Sequence, residues 1–351
     1  MKSLQSNILI IGGGPAGLAT AIAAAKQGCS SVAVVERKKR WGWPIQCAEM
    51  VPRLIGQAVP LEREAIVQAI TGLQFHFGDQ MIGSLRAPGY VLDRSRFEAL
   101  LADRAARLGV TFWQPANVRA VASDGVLVSH EGNQYELEAG VIVGADGPHS
   151  LVRRVFREEQ MEFAYAIQHV LPLAQPSEAA DIFLAPESGA GYGWCFPRGS
   201  EANVGVALPL EERKRLRGAL DSLVARLVRS GKIASATPIR RTGGLVPVSG
   251  PISQTVIGSM LLVGDAAGQT HPLTGAGILT ACACGRMAGE AIARAATQQS
   301  FSPLGEYEAQ WRDLYGDYLA RGLKSRKQLA QARPDEFLEA IRAAWHLRPS
   351  C

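Results

Sequence analysis

Residues 7–36 read NILIIGGGPAGLATAIAAAKQGCSSVAVVE, and this stretch decides the architecture. Residues 7–11 are a short apolar, β-branched run of the kind that forms a buried parallel strand. Gly12, Gly14 and Gly17 follow in GxGxxG spacing. Residues 16–26 have the Ala- and Leu-rich composition of a helix. Residues 31–35 form a second strand that ends at Glu36, nineteen positions after Gly17. Each part has a physical task. Gly12 permits a tight turn, Gly14 omits a side chain so that backbone can approach a pyrophosphate, and Gly17 lets the helix pack close to the strand. The helix start then offers unpaired N–H groups and a positive dipole end to the phosphates. Glu36 is placed to accept hydrogen bonds from ribose hydroxyls. Taken singly, the glycines could form an accidental turn. The complete series of strand, glycines, helix, strand and Glu predicts a dinucleotide-binding unit, without choosing between FAD and NAD.

The same region has a competing reading. Residues 8–25 carry no charge and follow Lys2, as a signal peptide or membrane span would. Gly12, Gly13, Gly14 and Pro15 interrupt the continuous helix that a span requires, so strand–turn–helix explains the residues better. With no other long apolar stretch, the chain reads as a soluble, cytoplasmic protein.

Two further segments repeat the pattern of a strand running into a glycine turn. Residues 141–147 read VIVGADG, with Asp146 and Gly147 in the turn. Residues 260–268 read MLLVGDAAG, with Gly264 and Asp265 in the turn, and are followed by HPLTGAGI at 271–278. In this order and combination, the three motifs resemble flavoproteins of the para-hydroxybenzoate hydroxylase fold. The resemblance implies FAD, held in a Rossmann-type α/β domain with an inserted antiparallel-sheet substrate domain and a short helical C-terminus. It implies phosphate and ribose contacts from Gly12, Gly14, Pro15, Ala16, Gly17, Glu36 and Arg37. It places Gly264 and Asp265 at the ribityl chain and Asp146 and Gly147 close to the cofactor. Pro272, Gly275, Ala276, Gly277 and Ile278 would lie under the flavin ring, where a helix start favours the reduced anion.

A narrower resemblance is to geranylgeranyl reductases. Residues 192–198, YGWCFPR, followed by ANVG at 202–205, are similar to their YxWxFP…VG segment. QCAE at 46–49 is similar to their cysteine-bearing loop, DRSRFE at 93–98 to their DRxxFD helix start, and GGLVP at 243–247 to their GGxxP strand. This resemblance adds Cys47, Ala48 and Arg94 to the cofactor contacts. It names Cys47, Tyr192 and Trp194 as candidate catalytic residues, with Cys47 a proton donor or gate beside the flavin. The bland alternative for Cys47 is a small buried hydrophobe. Tyr192 and Trp194 either line an apolar tunnel or fill the core. Larger family members carry a longer tail, so the resemblance weakens beyond about residue 296.

These motifs divide the 351 residues. Residues 1–74, 91–158 and 253–300 are assigned to the FAD domain, 75–90 and 159–252 to the substrate domain, and 301–351 to C-terminal helices. Strands are expected at 73–78, 83–87, 163–171, 181–184, 191–196 and 203–208. A helix is expected over 210–229, with Leu216, Leu220, Leu223 and Leu227 on one face. Trp311, Leu314, Tyr315, Tyr318, Leu319 and Leu323 form a stripe at helical spacing, either core or, with the basic residues at 321–327, a contact with an anionic membrane.

Composition narrows the partners. Apolar residues make up 47% and charged residues 20%, as in ordinary globular chains, and the net charge of +5 is too mild to imply nucleic acid. Six cysteines contain no CxxC pair, and the histidines no HExxH spacing, so no metal site is expected and a reducing compartment fits. No second GxGxxG unit opens a helix, which removes a dedicated NADPH domain and implies an external electron donor. Two chemistries fit the resemblance. One is hydride transfer from flavin N5 to a C=C bond of an apolar substrate; the other is hydroxylation of an aromatic ring, free or protein-borne. The YxWxFP segment favours the first.

Overall fold

The computed structural model describes residues 2–156 and 161–347. The 158/159 domain boundary and Cys351 lie outside these residues. Two sheets organise the molecule. The first runs in the order Val256–Ile257, Met260–Leu262, Asn133–Gly144, Lys2–Ile11, Val32–Val35 and Thr111–Trp113. Its centre is parallel, with Ile8 level with both Val32 and Val141 and Ile142 level with Met260. Strands buried on both faces need uninterrupted apolar side chains, which accounts for the runs at 8–11, 32–35 and 141–143. Strands Ala116–Val121 and Gly125–His130 extend this sheet with antiparallel pairs.

Helix Pro15–Lys26 packs directly on the later helix Ile278–Gln298. Their approach depends on missing side chains. A Cβ at Gly285 would stand 2.3 Å from the Ala16 carbonyl oxygen, and one at Gly289 would stand 2.4 Å from that of Thr20. The close crossing brings the turn after Lys2–Ile11 and residues 264–278 together at the C-terminal ends of the parallel strands.

The second sheet runs in the order Arg240–Pro247, Phe163–Pro172, Glu201–Pro209, Tyr192–Arg198, Ala179–Leu184, Ile66–Phe77, Gln80–Leu92 and Met50–Pro52. All neighbours are antiparallel except Ala179–Leu184 with Ile66–Phe77, which run parallel, so the sheet is mixed rather than wholly antiparallel. The hairpin also corrects the division at 74/75 and 90/91. Residues 66–74 and 91–92 pair within the second sheet, as do 50–52. Gly72 and Gly89 admit a neighbouring strand here. A Cβ at either would come within 2.5 Å of a carbonyl oxygen, of Leu85 or Val51 respectively.

Alternation along Tyr192–Arg198 supplies both faces of this sheet. Cys195 turns to a core shared with Leu216, Leu220, Leu223 and Leu227. Those leucines lie on helix Leu216–Arg229, which a 3₁₀ turn over Leu210–Arg215 precedes. Tyr192, Trp194 and Phe196 turn to the other face, among Phe75, Phe337, Ile341 and Trp345.

The C-terminal region comprises helices Ser302–Gln331 and Phe337–Ala344. The apolar stripe on the first of these divides. Trp311 and Leu319 are fully buried, and Trp311 Nε1 donates to Thr255 Oγ1 at 3.0 Å. Leu314 and Tyr318 are exposed, at 57% and 40%.

Candidate functional site

The three glycine motifs meet at the C-terminal ends of three adjacent parallel strands, where ligands of open α/β sheets bind. Gly12 has φ +105°, and a Cβ there would lie 2.2 Å from the Ala145 carbonyl oxygen, so the first motif touches the second. A Cβ at Gly264 would lie 2.9 Å from that of Ala16, so the third touches the first. A Cβ at Gly17 would lie 1.9 Å from the Gly12 carbonyl oxygen, which fixes the helix against the turn. Gly14 differs from these: nothing lies within 4 Å of its Cβ position. Its missing side chain makes no room for the protein itself and leaves backbone open to a ligand.

The acidic residues of the motifs line the same strip. Glu36 is buried, and its carboxylate accepts from the Gly13 and Lys38 amides, both at 2.7 Å. Arg37, next to it, is exposed. Asp265 accepts from the Thr270 hydroxyl at 2.5 Å. Burial pushes its carboxyl above the usual range, opposed by Thr270 and by Arg94 and Arg153. Asp146 Oδ2 accepts from the Leu151 amide at 2.7 Å, while its Oδ1 is buried without a partner. Burial pushes this carboxyl up as well, against the pull of Ser150 and nearby amides. An orphaned buried oxygen in the turn that packs against Gly12 fits a strip built for a ligand bearing hydroxyl and N–H groups. Gly147 is half-buried in the same turn, with φ +77°.

Further along the strip, Pro272 and Ile278 are buried, whereas Gly275 and Ala276 are exposed backbone. Gly277 caps helix Ile278–Gln298, and a Cβ there would meet Thr270 Oγ1 at 2.6 Å. Burial brings His271 down to about 4. Its Nδ1 accepts from the Thr274 amide at 3.2 Å, and its ring lies 4.4 Å from that of Tyr318. His271 is therefore a neutral structural acceptor for this loop.

The Cys47 loop bridges the two sheets. Side chains of the second sheet hold its backbone: Thr242 Oγ1 donates to the Ile45 carbonyl at 2.5 Å, Gln168 Nε2 to that of Cys47 at 3.3 Å, and Asn203 Nδ2 to that of Ala48 at 3.0 Å. Gln46 Nε2 returns a bond to the Gly243 carbonyl at 2.8 Å. Arg94 stands beside the Cys47 sulfur and donates from Nε to Glu98 at 2.7 Å. Burial alone would lower the Arg94 pKa, but Glu98 and Cys47 outweigh it and hold the guanidinium charged.

Glu49 anchors this loop and was absent from the sequence-derived site. It is fully buried, with φ +66°. Its carboxylate accepts from the Arg94 amide and from Asn203 Nδ2, both at 3.1 Å, and pairs with Arg198 at 3.3 Å and Arg240 at 3.9 Å. Gln168 and Arg153 were missed too. Arg153 donates to the Pro148 and Ala266 carbonyls, tying the second glycine motif to the third. The only signal for Glu49, Arg198 and Asn203 was their place inside the quoted QCAE, YGWCFPR and ANVG segments.

Of the candidate catalytic residues, Tyr192 and Cys47 are neighbours. Burial raises the Tyr192 hydroxyl, with the Cys47 sulfur adding to the effect, and that hydroxyl donates to the Thr274 carbonyl at 2.5 Å. Trp194 is 5% exposed, with Nε1 donating to Gln168 Oε1 at 2.9 Å. Trp194 therefore supports the Cys47 loop through Gln168, from within the core.

Comparison with known proteins follows the same lines. A family model described as FAD binding domain matches residues 82–315, well over half the chain, and a second with the same description matches residues 7–49. Digeranylgeranylglycerophospholipid reductase from Methanocaldococcus jannaschii is 31% identical over 354 residues, covering 96% of this chain and 90% of the relative. Digeranylgeranylglycerophospholipid reductase 2 from Methanopyrus kandleri is 32% identical, covering 95% and 89%. The chain belongs to the geranylgeranyl reductase family. As a member of it, the protein is an FAD-dependent oxidoreductase of the reductase type. The fold is shared with a geranylgeranyl bacteriochlorophyll reductase-like protein from Thermoplasma acidophilum, with TM-score 0.88, 24% identity and coverage of 97% and 96%. It is also shared with the myxobacterial chondrochloren halogenase CndH, with TM-score 0.76, 19% identity and coverage of 96% and 85%. The fold thus hosts more than one flavin chemistry, and the relatives at 31–32% identity favour reduction over the aromatic hydroxylation that the sequence left open. Among the described residues, no helix is long and apolar enough to cross a membrane.

Proposed function

We propose that this family member reduces C=C bonds in the isoprenoid chains of a lipid. The observation that carries the reading is the joining of Cys47, Arg94 and Tyr192 to the Thr274 loop at the end of the glycine-motif strip, in a chain that matches digeranylgeranylglycerophospholipid reductases nearly end to end. Bound FAD, once reduced by an external donor, supplies a hydride to one carbon of the double bond. The proton for the other carbon is held on the Cys47 thiol, and the charged Arg94 guanidinium offsets the negative charge left on sulfur until solvent returns a proton. Tyr192 keeps the Thr274 loop in place through its hydroxyl. Glu49, Gln168 and Asn203 keep the Cys47 backbone fixed to the second sheet. The Gly14 backbone and Glu36 hold the adenosine and pyrophosphate end, in a turn that Gly12 and Gly17 shape by close packing, and Asp265 holds the ribityl end. The exposed Leu314 and Tyr318, beside the basic residues at 321–327, suit contact with an anionic membrane surface from which a lipid is drawn.

The test is anaerobic turnover. Reduced holoenzyme mixed with a geranylgeranyl-chain glycerophospholipid should saturate the chain with no oxygen present. A requirement for stoichiometric oxygen, with an oxygenated product, would replace this reading with hydroxylation.

A further inference from the structure

The face of the second sheet that carries Tyr192, Trp194 and Phe196 is covered by the end of the described chain. Phe337, Ile341, Trp345 and Leu347 are all buried there, in one cluster with Phe75, Trp194 and Leu273. Trp345 meets Tyr192 edge-on at 5.5 Å and Phe75 at 5.4 Å. The covered surface therefore runs from the middle of the sheet to the Thr274 loop, which the Tyr192 hydroxyl holds.

The way this segment is attached is unusual for the region. Among the described residues, every hydrogen bond and ion pair of residues 333–347 stays within the segment. Arg333 pairs with Asp335 and Glu336, Arg342 pairs with Glu339, and the backbone bonds are local. Trp345 Nε1 is buried with no partner. The preceding helix is held quite differently: Tyr307 donates to the Leu262 carbonyl at 2.7 Å, and Arg312 donates to the Ile252 carbonyl at 3.1 Å. Between the two lies a largely exposed linker, residues 332–336, which includes Pro334.

We propose that residues 337–347 form a displaceable plug in the groove for the substrate's hydrocarbon chain. The segment swings out about the 332–336 linker, and the chain takes its place on Phe75, Trp194 and Phe196. This rests on the reading of the protein as a reductase of isoprenoid chains. A hydrocarbon restores the apolar burial that the plug gives up and needs no hydrogen-bond partner. Because no polar tie joins plug to sheet, displacement uncovers no new unpaired group, and it frees the Trp345 N–H to reach water. Ligand binding opens the groove only because the chain binds the open form and is excluded from the closed one.

A staple tests this directly. A Cβ at Gly83 would stand 3.7 Å from Leu347 Cβ, a separation that a disulfide spans. In the holoenzyme carrying Gly83→Cys and Leu347→Cys, oxidation should lower turnover of a geranylgeranyl-chain lipid by about tenfold or more. A thiol reductant should restore turnover, with FAD content unchanged throughout. Each single variant, treated identically, controls for oxidation of Cys47. Equal turnover of the oxidised and reduced double variant would overturn the plug. Hydrogen exchange on the wild-type holoenzyme gives a second reading that needs no turnover. Adding the same lipid should speed exchange of amides in 337–347, and unchanged or slower exchange would overturn the plug. If the wild type saturates no chain, the reductase reading fails, while the exchange experiment still decides the plug. If stapled and unstapled enzymes both saturate the chain, only the plug fails.

Discussion

The strip formed by the glycine motifs and the aromatic face of the second sheet solve opposite packing problems. On the strip, side chains are missing because backbone must touch backbone: Gly12 against Ala145, Gly17 against Gly12, Gly285 against Ala16. Such contacts tolerate no substitution and leave a signature in the sequence. On the aromatic face, large side chains meet large side chains, and Phe75, Trp194 and Trp345 pack from three distant parts of the chain. Apolar contact of this kind is exchangeable, and no local motif records it. The strip is thus held by contacts that a local motif records, while the contacts of the aromatic face are exchangeable and leave none.

Within the strip, Gly14 and Gly17 sharpen the contrast. Gly17→Val places a Cβ against backbone that cannot yield and should destabilise the fold by about 3 kcal/mol or more. Gly14→Val points its Cβ into open space and should leave the apoprotein folded but without FAD. Thermal unfolding and flavin absorbance of the two variants separate the effects. Equal unfolding, or full flavin content in Gly14→Val, would break the distinction between structural and ligand-facing glycines.

Between the two regions stands Glu49. Glu49→Gln removes the charge that Arg198 and Arg240 share, and these are only partly screened at 14% and 27% side-chain exposure. The expected cost is about 2 kcal/mol, below the range for fully buried pairs because solvent reaches both arginines. Turnover should fall further than FAD content, since the Cys47 loop loses its anchor. A variant with normal stability and activity would show that the Thr242, Gln168 and Asn203 bonds suffice.

The smallest effect concerns His271. Its folded pKa of about 4 lies below the ordinary value of 6.5, so the unfolded chain binds the extra proton first. The stability from keeping it neutral is fully present above 6.5 and is lost as pH falls toward 4. Lowering pH from about 7.5 to about 5.5 should therefore cost about 1 kcal/mol through this residue. His271→Asn, which keeps an acceptor for the Thr274 amide, should remove that part of the slope in denaturant titrations. An unchanged slope would place the proton uptake elsewhere.

What could be read from sequence follows the same division. Gly12, Gly14, Asp146 and Asp265 sit in turns, and Gly17 in the first turn of a helix, where local chemistry specifies them, and the structure brings all five to one strip. Glu49 and Gln168 each act through partners distant in sequence, among them Asn203 for Glu49 and Cys47 for Gln168, and nothing in their neighbours announces this. The hairpin Ile66–Phe77 and Gln80–Leu92 ran past its expected ends because Gly72 and Gly89 serve close strand approach, a use their local sequence does not distinguish from a break. The split stripe of helix Ser302–Gln331 shows the limit of periodicity: spacing groups Trp311 with Leu314, and only the tertiary partners bury one and expose the other.

The central claim is that Cys47 stands where a C=C bond is protonated while FAD supplies the hydride. Single-turnover oxidation of the pre-reduced holoenzyme by a geranylgeranyl-chain lipid, without oxygen, measures this in Cys47→Ala against the wild type. The account predicts unchanged FAD content and lipid binding, with oxidation slower by about a hundredfold, the lower end of what loss of a general acid costs. Oxidation at the wild-type rate, with FAD and lipid bound normally, would contradict it.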